Sequence, residues 1–555
     1  TYEGETMVEE GNLVASAENA LGNTRKVTVK NDKTLTIQAN QDHVGSLEAV
    51  DGTVALENNA ALTLNNGKST IAAAAELKGD AGTTLVVIGG ELDVKGANAR
   101  FLGNATLENN ALVTLNDVAG LGNDADATIA INGSKLAFNL KTEAELKSKI
   151  EGNGTISADL GDQSHALSFA NDGNAFTGKL ELNKGALALA GNKSLNTKTL
   201  EKATLETGAG AYVTVSNGEN KLGNLTLAGG KIGFGVIALN GADSAGFVEL
   251  GKKGELNILK DTTVDLSLAT AATISKEGSE LLSMDDGAYV PLVKNASDTI
   301  NGVDKLKFKG KLDQGSKLTQ DGKLVAYATW ALDGKDTFKL ENEGHDLVVN
   351  YKLQELKLLE TTVNKGLVVT NKTAADQTLS AKLTGAGNIR FNGDATFGGG
   401  TITVNNVNND YTGITYIERG EVIAGADNAL GQTKELNISS GASFNLDSRS
   451  QTVGDLITAS GNALKSTGGS LTLKGSNSHV KGANAGLNAR IALADNSKTT
   501  LDNVLGLGSG AIAIGSGDDV LTLSNASGKF ANALTGNGGL TLANGSDVEL
   551  TGANA

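Results

Sequence analysis

The feature that most restricts the fold of this chain is an internal repeat with a large offset. Residues 2–22 read YEGETMVEEGNLVASAENALG, and residues 411–431 read YTGITYIERGEVIAGADNALG. At a fixed offset of 411 − 2 = 409, the copies run without a gap over residues 2–47 and 411–456, with 15 identities in 46 positions. A catalytic motif is usually needed once, whereas a structural module can recur, so the repeat indicates a modular scaffold.

The repeat resumes further along the chain at a smaller offset. KGANAR begins at Lys95 and KGANAG begins at Lys481, so the offset is now 481 − 95 = 386. The second copy has therefore lost 409 − 386 = 23 residues. Because solenoid coils contain about 20–50 residues and each coil contacts only its neighbours, this loss predicts the clean removal of one coil.

A degenerate third copy of the opening motif, AFTGKLELNKGALALAGNKSL, occupies residues 175–195. Its Phe176 stands where the other copies have tyrosine, so we expect the three aromatic side chains to pack onto a coil. Glycine and asparagine accept the left-handed backbone of tight turns. The recurring positions are Tyr2, Gly4, Gly11, Asn19, Gly22, Phe176, Gly178, Tyr411, Gly413, Gly420, Asn428 and Gly431.

Between the repeated motifs, short segments such as KVTV, ALTL and SLTL alternate apolar and polar residues and end in Gly, Asn or Asp. Such alternation predicts short strands joined by tight turns. The repeat and the coil-sized deletion favour an all-β parallel solenoid over an antiparallel sandwich. At about 22 residues per coil, we expect roughly 25 coils in a rod on the order of 120 Å long.

Two segments depart from this pattern. KTEAELKSKIEG, residues 141–152, has helical spacing and is rich in helix formers, so we expect a short surface helix there. Residues 271–353 contain the only Trp, the only Pro and denser apolar runs, which predicts an irregular insertion. The domain division that follows is a first unit over residues 1–409 and a truncated second copy over 410–555.

Composition excludes several classes of function. The chain has no cysteine and therefore no thiolate site, and it carries a net charge of −16 with its few arginines scattered, a poor footprint for nucleic acid. No apolar run is long enough for a membrane span. The first residues lack the features of a signal peptide, and both ends fall at repeat boundaries, so we expect a fragment of a longer protein.

Isolated motifs give weak indications of chemistry. GKST at residues 67–70 lacks the glycine that a phosphate-binding loop requires five residues earlier, and we expect a strand and turn there. GSGDDVL at 515–521 resembles half of a calcium-binding nonapeptide, but it stands alone, so a turn with two exposed aspartates is expected. SMDDG at 283–287 is expected to be a solvated carboxylate pair in a loop.

The histidines share no metal-ligand spacing; they are His43, His165, His345 and His479. His165 follows Asp162 and Ser164 closely, which leaves a nucleophilic site as a minor alternative to a polar loop. Asparagines at turn ends, as in ENN and LNN, are expected to form ladders along the rod that serve structure first and association second. We therefore predict no catalytic residue, no metal and no cofactor.

The segment DYTGITYIERGEVIAGADNALG, preceded by LTGAGNIRFNGDATFGGGTITVNNVNN, resembles the repeat in passenger domains of AIDA-type bacterial autotransporters. The resemblance is strong over residues 1–47 and 378–456 and weaker over 175–195. It implies a right-handed parallel β-helix exported through the outer membrane to the bacterial cell surface or released outside the cell. The GDSGSP motif of the protease passengers is absent.

The resemblance implies an adhesin that binds other copies of itself, as in aggregation and biofilm, or binds a host-surface protein or glycan. Contacts would be weak, polar and repeated along the rod, with avidity from many copies, and they would weaken with salt if charged contacts dominated. Two alternatives stay open. One is a passive stalk that presents a tip elsewhere, and the other is a polysaccharide-binding or polysaccharide-cleaving β-helix, which would need clustered carboxylates.

Overall fold

A computed structural model describes residues 2–237, 246–252, 254–294, 300, 302–309, 315–332, 338–341, 346–393 and 400–553. The prediction of an all-β parallel solenoid is confirmed. Strands account for 52% of the residues and helices for 3%, and the stacked coils make about 23 turns, close to the 25 predicted.

The first half of the rod has three sheets of stacked parallel strands. The 17-stranded sheet contains Glu5–Val8, Lys26–Val29, Leu47–Ala49, Lys68–Ile71, Glu91–Val94, Leu112–Leu115, Lys135–Asn139, Ala144–Leu146, Thr155–Asp159, Ala166–Phe169, Lys179–Leu189, Thr204–Val215, Asn224–Leu227, Lys231–Ile237, Leu256–Ile258, Thr262–Leu268 and Leu306–Lys309. The four-stranded sheet contains Leu13–Ala15, Thr34–Ile37, Thr53–Leu56 and Glu76–Gly79. The seven-stranded sheet contains Asp42–Val44, Ala61–Asn65, Thr84–Ile88, Asn104–Glu108, Thr128–Ile131, Lys149–Gly152 and Ala175–Phe176.

The second half repeats this arrangement. Its nine-stranded parallel sheet contains Leu367–Asn371, Ile389–Gly393, Ile414–Arg419, Glu435–Ile438, Asp455–Thr458, Ser478–Val480, Lys498–Leu501, Val520–Ser524 and Gly539–Ala543. One five-stranded sheet contains Gln377–Leu379, Ile402–Val404, Glu421–Ala424, Ser443–Asn445 and Leu464–Lys465. The other contains Ser450–Val453, Ser470–Leu473, Arg490–Leu493, Ile512–Ile514 and Leu534–Gly536, and a further pair is Ser527–Phe530 with Asp547–Leu550.

The core is a column of apolar side chains inside the coils. In Lys26–Val29 the alternation places Val27 and Val29 inside, and the register sets them beside Leu47 and Ala49 of the next coil. Parallel stacking in register puts like side chains over like side chains, so each coil buries the apolar face of the one before it. Outward-facing positions therefore also form columns along the rod.

The structure shows the coil that distinguishes the two repeats. In the first copy, Lys68–Ile71 lies between Leu47–Ala49 and Glu91–Val94. In the second copy the equivalent strands, Asp455–Thr458 and Ser478–Val480, pair directly. The 23-residue difference therefore corresponds to one whole coil.

The prediction of a surface helix over residues 141–152 is wrong. The segment forms the strands Ala144–Leu146 and Lys149–Gly152, which pair in parallel with Ala166–Phe169 and with Thr128–Ile131. Its alternate residues point inside, and the coils on either side supply hydrogen-bond partners that outweigh local helix propensity.

Residues 271–353 contain the predicted irregular insertion, part of which lies outside the described residues. The strands Gly218–Leu222, Gly246–Leu250, Ala271–Thr273, Ala288–Lys294, Ser316–Gln320, Lys323–Leu332, Phe338–Glu341, Asp346–Leu358 and Lys382–Gly385 form one sheet. The described antiparallel pairs all fall within residues 288–358. Buried Trp330 packs edge-on against Tyr351, with ring centroids 5.7 Å apart.

The helices of the described chain are short. They are Leu195–Leu200, which Ser194 caps, Glu280–Asp286, and the 3-10 turn Val303–Lys305.

Candidate functional site

The aromatic position of the repeated motif is a packing position, as predicted, wherever a coil covers it. Tyr411 is fully buried, and its hydroxyl lies 2.6 Å from the hydroxyl of Thr415. Burial raises the pKa of Tyr411. Phe176 is also buried, whereas Tyr2 is 52% exposed and donates its hydroxyl to the carbonyl of Glu5. Tyr411 and Phe176 therefore pack between coils, whereas Tyr2 has no coil over it in the described structure.

The glycines and asparagines of the motif shape the backbone. Asn19, Asn428, Gly22 and Gly431 all have positive φ, between 51° and 60°. Gly11 and Gly420 also have positive φ. The motif glycines at the second position after the aromatic, Gly178 and Gly413, are needed for close approach, because a Cβ there would overlap the carbonyl oxygen of Gly154 or Gly387. Sequence reasoning identified these residues as structural repeat positions, and their backbone geometry gives the physical reason.

The KGANA motif has a role that sequence reasoning missed. The side chain of buried Asn98 accepts from the Leu77 amide and donates to the Gly120 carbonyl, both at 2.7 Å. Its equivalent, Asn484, bridges Leu464 and Gly506 in the same way. Each asparagine thus joins the coil before it to the coil after it. The asparagines of the ENN turns have a different role, since they adopt the left-handed backbone that a tight turn requires, as at Asn58 and Asn59.

Each repeat unit forms a shallow groove at the same place. The first groove has a volume of about 370 Å³ and the second about 490 Å³. The lining pairs related by the 409 offset are Asn23 with Gln432, Thr24 with Thr433, Arg25 with Lys434, His43 with Thr452, Val44 with Val453, Gly45 with Gly454 and Asn65 with Lys474. The floor is a buried threonine, and an exposed basic side chain stands at one edge. The duplicated groove is polar and open, which suits a small polar group.

Beneath the first groove lies a carboxyl group with incomplete hydrogen bonding. Asp42 is fully buried, its Oδ1 accepts from the Leu21 amide at 3.1 Å, and its Oδ2 has no hydrogen-bond partner. Burial raises its pKa. The equivalent residue in the second copy is Gln451, whose amide accepts from Leu430 and donates to the Ala426 carbonyl at 2.8 Å. In the second copy, both polar atoms of the Gln451 side chain therefore have a hydrogen-bond partner.

We expect Asp42→Gln to raise the stability of the surrounding coil at pH 7 by about 1–2 kcal/mol, because it supplies the missing donor. A raised folded-state pKa means that the protonated form of Asp42 favours folding below its unfolded pKa, and that this contribution is lost as pH rises through the folded pKa. The gain from the variant should therefore be larger at pH 7 than at pH 4. Amide hydrogen exchange of residues 19–24 measures it, with exposed Glu10→Gln as the control.

One wall of each repeat unit presents a column of small uncharged side chains, which we call the Thr/Ala face. It consists of Thr63, which is itself buried, with Val86, Thr106 and Ala130 in the first unit and Thr452, Thr472, Ala492, Ala513 and Thr535 in the second. In the first unit the neighbouring column, Ala61, Thr84, Asn104 and Thr128, is also uncharged. His43 and Glu151 bound the first column. The face is flat because each position repeats in register.

The 17-stranded sheet presents a contrasting face. Lys26 pairs with Glu48 at 2.5 Å, Lys135 with Glu181 at 2.8 Å, and Lys179 with both Glu181 and Glu206. Lys179 and Glu181 lie in one strand and the other pairs run between coils, so charges on this sheet are compensated within the rod. Such exposed pairs contribute little to stability individually.

Two predicted solvated carboxylates are in fact structural. Asp285 lies at the end of the helix Glu280–Asp286, is buried, and accepts hydrogen bonds from the amides of Ser380 and Ala381 at 2.5 and 2.7 Å. Burial raises its pKa. Asp519 was expected to be exposed in a turn, but it is buried and accepts from Ser497 and Ser516. Both carboxylates satisfy backbone donors that the fold brings to them. GKST forms the predicted strand and turn, with Lys68–Ile71 as the strand.

A pair of glutamates on neighbouring strands also escaped sequence reasoning. Glu219 and Glu249 hydrogen-bond to each other, which lowers the pKa of Glu219 and raises that of Glu249. Lys221 lies 3.2 Å from Glu219. Paired carboxylates are what glycoside cleavage requires, but the adjacent lysine makes this cluster similar to the other ion-pair ladders of the rod.

The minor alternative of a nucleophilic site around His165 finds no supporting geometry. Ser164 donates its hydroxyl to Asp162 at 2.5 Å, while Nδ1 of His165 lies 2.7 Å from the Leu160 carbonyl. Nδ1 also lies 3.8 Å from the Asp162 oxygen that accepts from Ser164, so the serine hydroxyl is bonded to the carboxylate and not to the imidazole. His345 lies outside the described residues. Within the described chain, no cluster of three potential metal ligands occurs, and no helix has the length and apolarity to cross a membrane.

Comparison with known proteins gives distant relatives. No family model matches the chain, and no solved structure matches it. It is 26% identical over 390 residues to the uncharacterized protein YuaQ of Escherichia coli K12, covering 68% of this chain and 27% of the relative. It is also 26% identical over 506 residues to the uncharacterized lipoprotein YdeK of the same organism, covering 81% of this chain and 36% of that protein. The chain thus spans only about a quarter to a third of these relatives.

Proposed function

We propose that this chain is a segment of a bacterial surface adhesin that binds other copies of itself through the Thr/Ala face. The observation that carries the proposal is the recurrence of this uncharged column on equivalent walls of both repeat units. A passive stalk requires no such recurrence, because any polar side chain at these outward positions would keep the rod in solution.

Charge supports a second copy as the partner. The chain has a net charge of −16, so two rods repel each other. The Thr/Ala face has no charge of its own, although Glu108 and Arg490 stand in the columns beside it, and its short side chains lose little conformational entropy on contact. Single contacts would be weak, but several coils and many molecules per cell would multiply them.

A location in the bacterial cell envelope is supported by the relative YdeK, which is described as a lipoprotein. Display on the outer surface, or release from it, is part of the proposal and follows from the resemblance to autotransporter passengers. Neither a cofactor nor catalysis forms part of it.

The test compares the clumping of beads that carry the wild-type chain with the clumping of beads that carry the double variant Thr106→Glu plus Thr472→Glu. We expect at least a tenfold loss of clumping, because negative charge on the face adds to the repulsion between rods. The matched control is Thr114→Glu plus Thr500→Glu, which are equally half-buried outward threonines on other sheets and should leave clumping unchanged. Circular dichroism verifies that both variants fold.

Salt separates this mechanism from association through the charged ladders. Raising ionic strength from about 0.05 M to about 0.5 M screens repulsion, so clumping through the Thr/Ala face should persist or increase. Clumping that falls with salt would assign association to the Lys–Glu ladders instead. If wild-type beads never clump, the proposal fails. A glycan array probed with wild type and with Lys434→Gln then distinguishes an adhesin that binds a glycan in the groove from a passive stalk, because only the adhesin would bind the array and lose binding in the variant.

A further inference from the structure

The second groove is centred on one exposed lysine. Lys434 stands between Gly413 and Gly454 in the column that precedes the nine-stranded sheet, since its amide donates to the Gly413 carbonyl at 3.1 Å and its carbonyl accepts from the Asp455 amide at 2.9 Å. A Cβ on Gly454 would overlap the Lys434 carbonyl oxygen, so the close stacking of the coils excludes a side chain there. No side chain at either stacked position therefore shields the lysine.

Uncharged polar and apolar side chains surround this lysine. The groove, with a volume of about 490 Å³, is also lined by Asn428, Gln432, Thr452 and Val407. Asn428 and Gln432 are exposed, and Val407 is 58% exposed. Stacked coils continue on both sides of the groove along the rod. The groove can therefore offer hydrogen bonds, an apolar patch and a positive charge to one ligand.

Lys434 has no carboxylate partner within the part of the chain that the structure describes. An incoming anion therefore does not have to displace an ion pair at this position. Four carboxylates neighbour the lining residues in sequence and have partners of their own: Asp410 with Lys382, Asp427 with the Ser450 amide, Glu435 with the Asn437 side chain and Asp455 with the Asn477 amide.

The first copy neutralises the equivalent cation, whereas the second copy does not. Arg25 pairs with Glu5 at 2.9 Å, and Glu3 also lines the first groove. At the 409 offset, the residues in place of these two glutamates are Thr412 and Ile414. The two copies therefore share the basic residue, but only the second leaves its charge available to a ligand.

A second lysine lines the groove two coils further along the rod. Lys474 stands where the first copy has Asn65, and its amide donates to the Gly454 carbonyl at 3.3 Å. Two strand spacings separate Lys474 from Lys434, which is roughly 10 Å along the rod. The ammonium of Lys474 pairs with Asp495 at 3.0 Å, but the two side chains are 48% and 65% exposed, and such a pair contributes little to stability. A ligand carboxylate can therefore take the place of Asp495.

We infer that this groove binds an acidic saccharide, with one carboxylate on Lys434 and the carboxylate of the next sugar but one on Lys474. The separation of the two lysines is about the length of a disaccharide, so a polymer that alternates a uronic acid with a neutral sugar fits it. Sugar hydroxyls would bond to Asn428 and Gln432, and the apolar face of a sugar ring would cover Val407.

The strands beside the groove favour a saccharide over an acidic peptide. Glu435–Ile438 and Asp455–Thr458 each pair with a strand on both sides, so an extended peptide finds no free edge to join. A saccharide needs no such edge, because its hydroxyls bond to side chains.

This inference does not rest on the proposed self-association. Thr452 belongs to both surfaces, but Lys434 and Lys474 lie outside the Thr/Ala face. Lys434→Gln should therefore leave the clumping of beads unchanged while it weakens saccharide binding, so a failure of one proposal can be told from a failure of the other.

The experiment is isothermal titration calorimetry of the purified chain with oligosaccharides of alternating glucuronic acid and N-acetylglucosamine. We expect the double variant Lys434→Gln plus Lys474→Gln to lower the affinity at least tenfold. The matched control is Lys141→Gln plus Lys481→Gln, which changes the net charge equally at two exposed lysines outside the groove and should leave the affinity unchanged. Circular dichroism verifies that both variants fold.

Salt and two further polymers complete the test. Raising ionic strength from about 0.05 M to about 0.5 M should weaken binding at least tenfold, because it screens the lysines. Dextran, which is uncharged, should not bind. The inference is overturned if the wild-type chain does not bind the acidic oligosaccharides, or if the groove variant binds them as tightly as the wild type. Polyglutamate that binds as tightly as the saccharide would assign the groove to acidic peptides and would also overturn it.

Discussion

Replacing Tyr411 with alanine is expected to lower the free energy of unfolding of its coil by about 3–5 kcal/mol, the usual cost of removing a buried aromatic side chain. Tyr411 is fully buried between two coils. Its hydroxyl meets Thr415, which bonds to Thr433 at 2.9 Å, and Thr433 donates to the Gly413 carbonyl at 2.8 Å. The substitution therefore leaves a cavity and breaks a buried hydrogen-bond chain.

The repeat supplies the control for this prediction. Tyr2→Ala changes the same motif position, but Tyr2 is half exposed, so we expect a change below about 1 kcal/mol. Tyr411→Phe keeps the ring and removes only the hydroxyl, with an expected cost of about 1–2 kcal/mol. Because a solenoid unfolds in parts, amide exchange of residues 414–424 is the appropriate measurement. Equal effects at Tyr2 and Tyr411 would show that the motif acts locally and not through stacking.

Deleting residues 50–71 is expected to leave a folded rod that is shorter by about 4.8 Å, the spacing of one strand. Ala49 pairs with Ile71 in the native register, so the deletion places Ala49 directly before Ala72 and removes one whole coil. Each coil contacts only its neighbours, so the coils on either side can pair with each other. The second repeat unit already has this arrangement, in which Ile457 lies beside His479.

A deletion of residues 50–60 is the corresponding control. It removes the strand Thr53–Leu56 and retains Ala61–Asn65, so the four-stranded sheet is interrupted while its neighbours stay. We expect residues 26–94 to lose most of their protection from amide exchange. If both deletions are equally disruptive, the coil is not the unit by which these repeats differ.

The sequence predicted most of the fold, and its errors have a common cause. Residues 141–152 have good helix formers and helical spacing, yet they form two strands because adjacent coils offer parallel partners. Asp285 looked like a solvated loop residue, but it binds backbone donors of Ser380 and Ala381, nearly a hundred positions later. In both cases a long-range contact outweighed the local pattern.

The sequence by itself determined that this chain is a parallel solenoid in two related units that differ by one coil. It could do so because parallel stacking gives equivalent positions in successive coils the same environment, so the residue pattern of the sequence repeats with the length of a coil. Only the tertiary structure decided which outward residues share a column, and that Thr63, Val86 and Thr106 stand in line. Those facts depend on register between coils, since a shift of one residue would turn each outward side chain to the core.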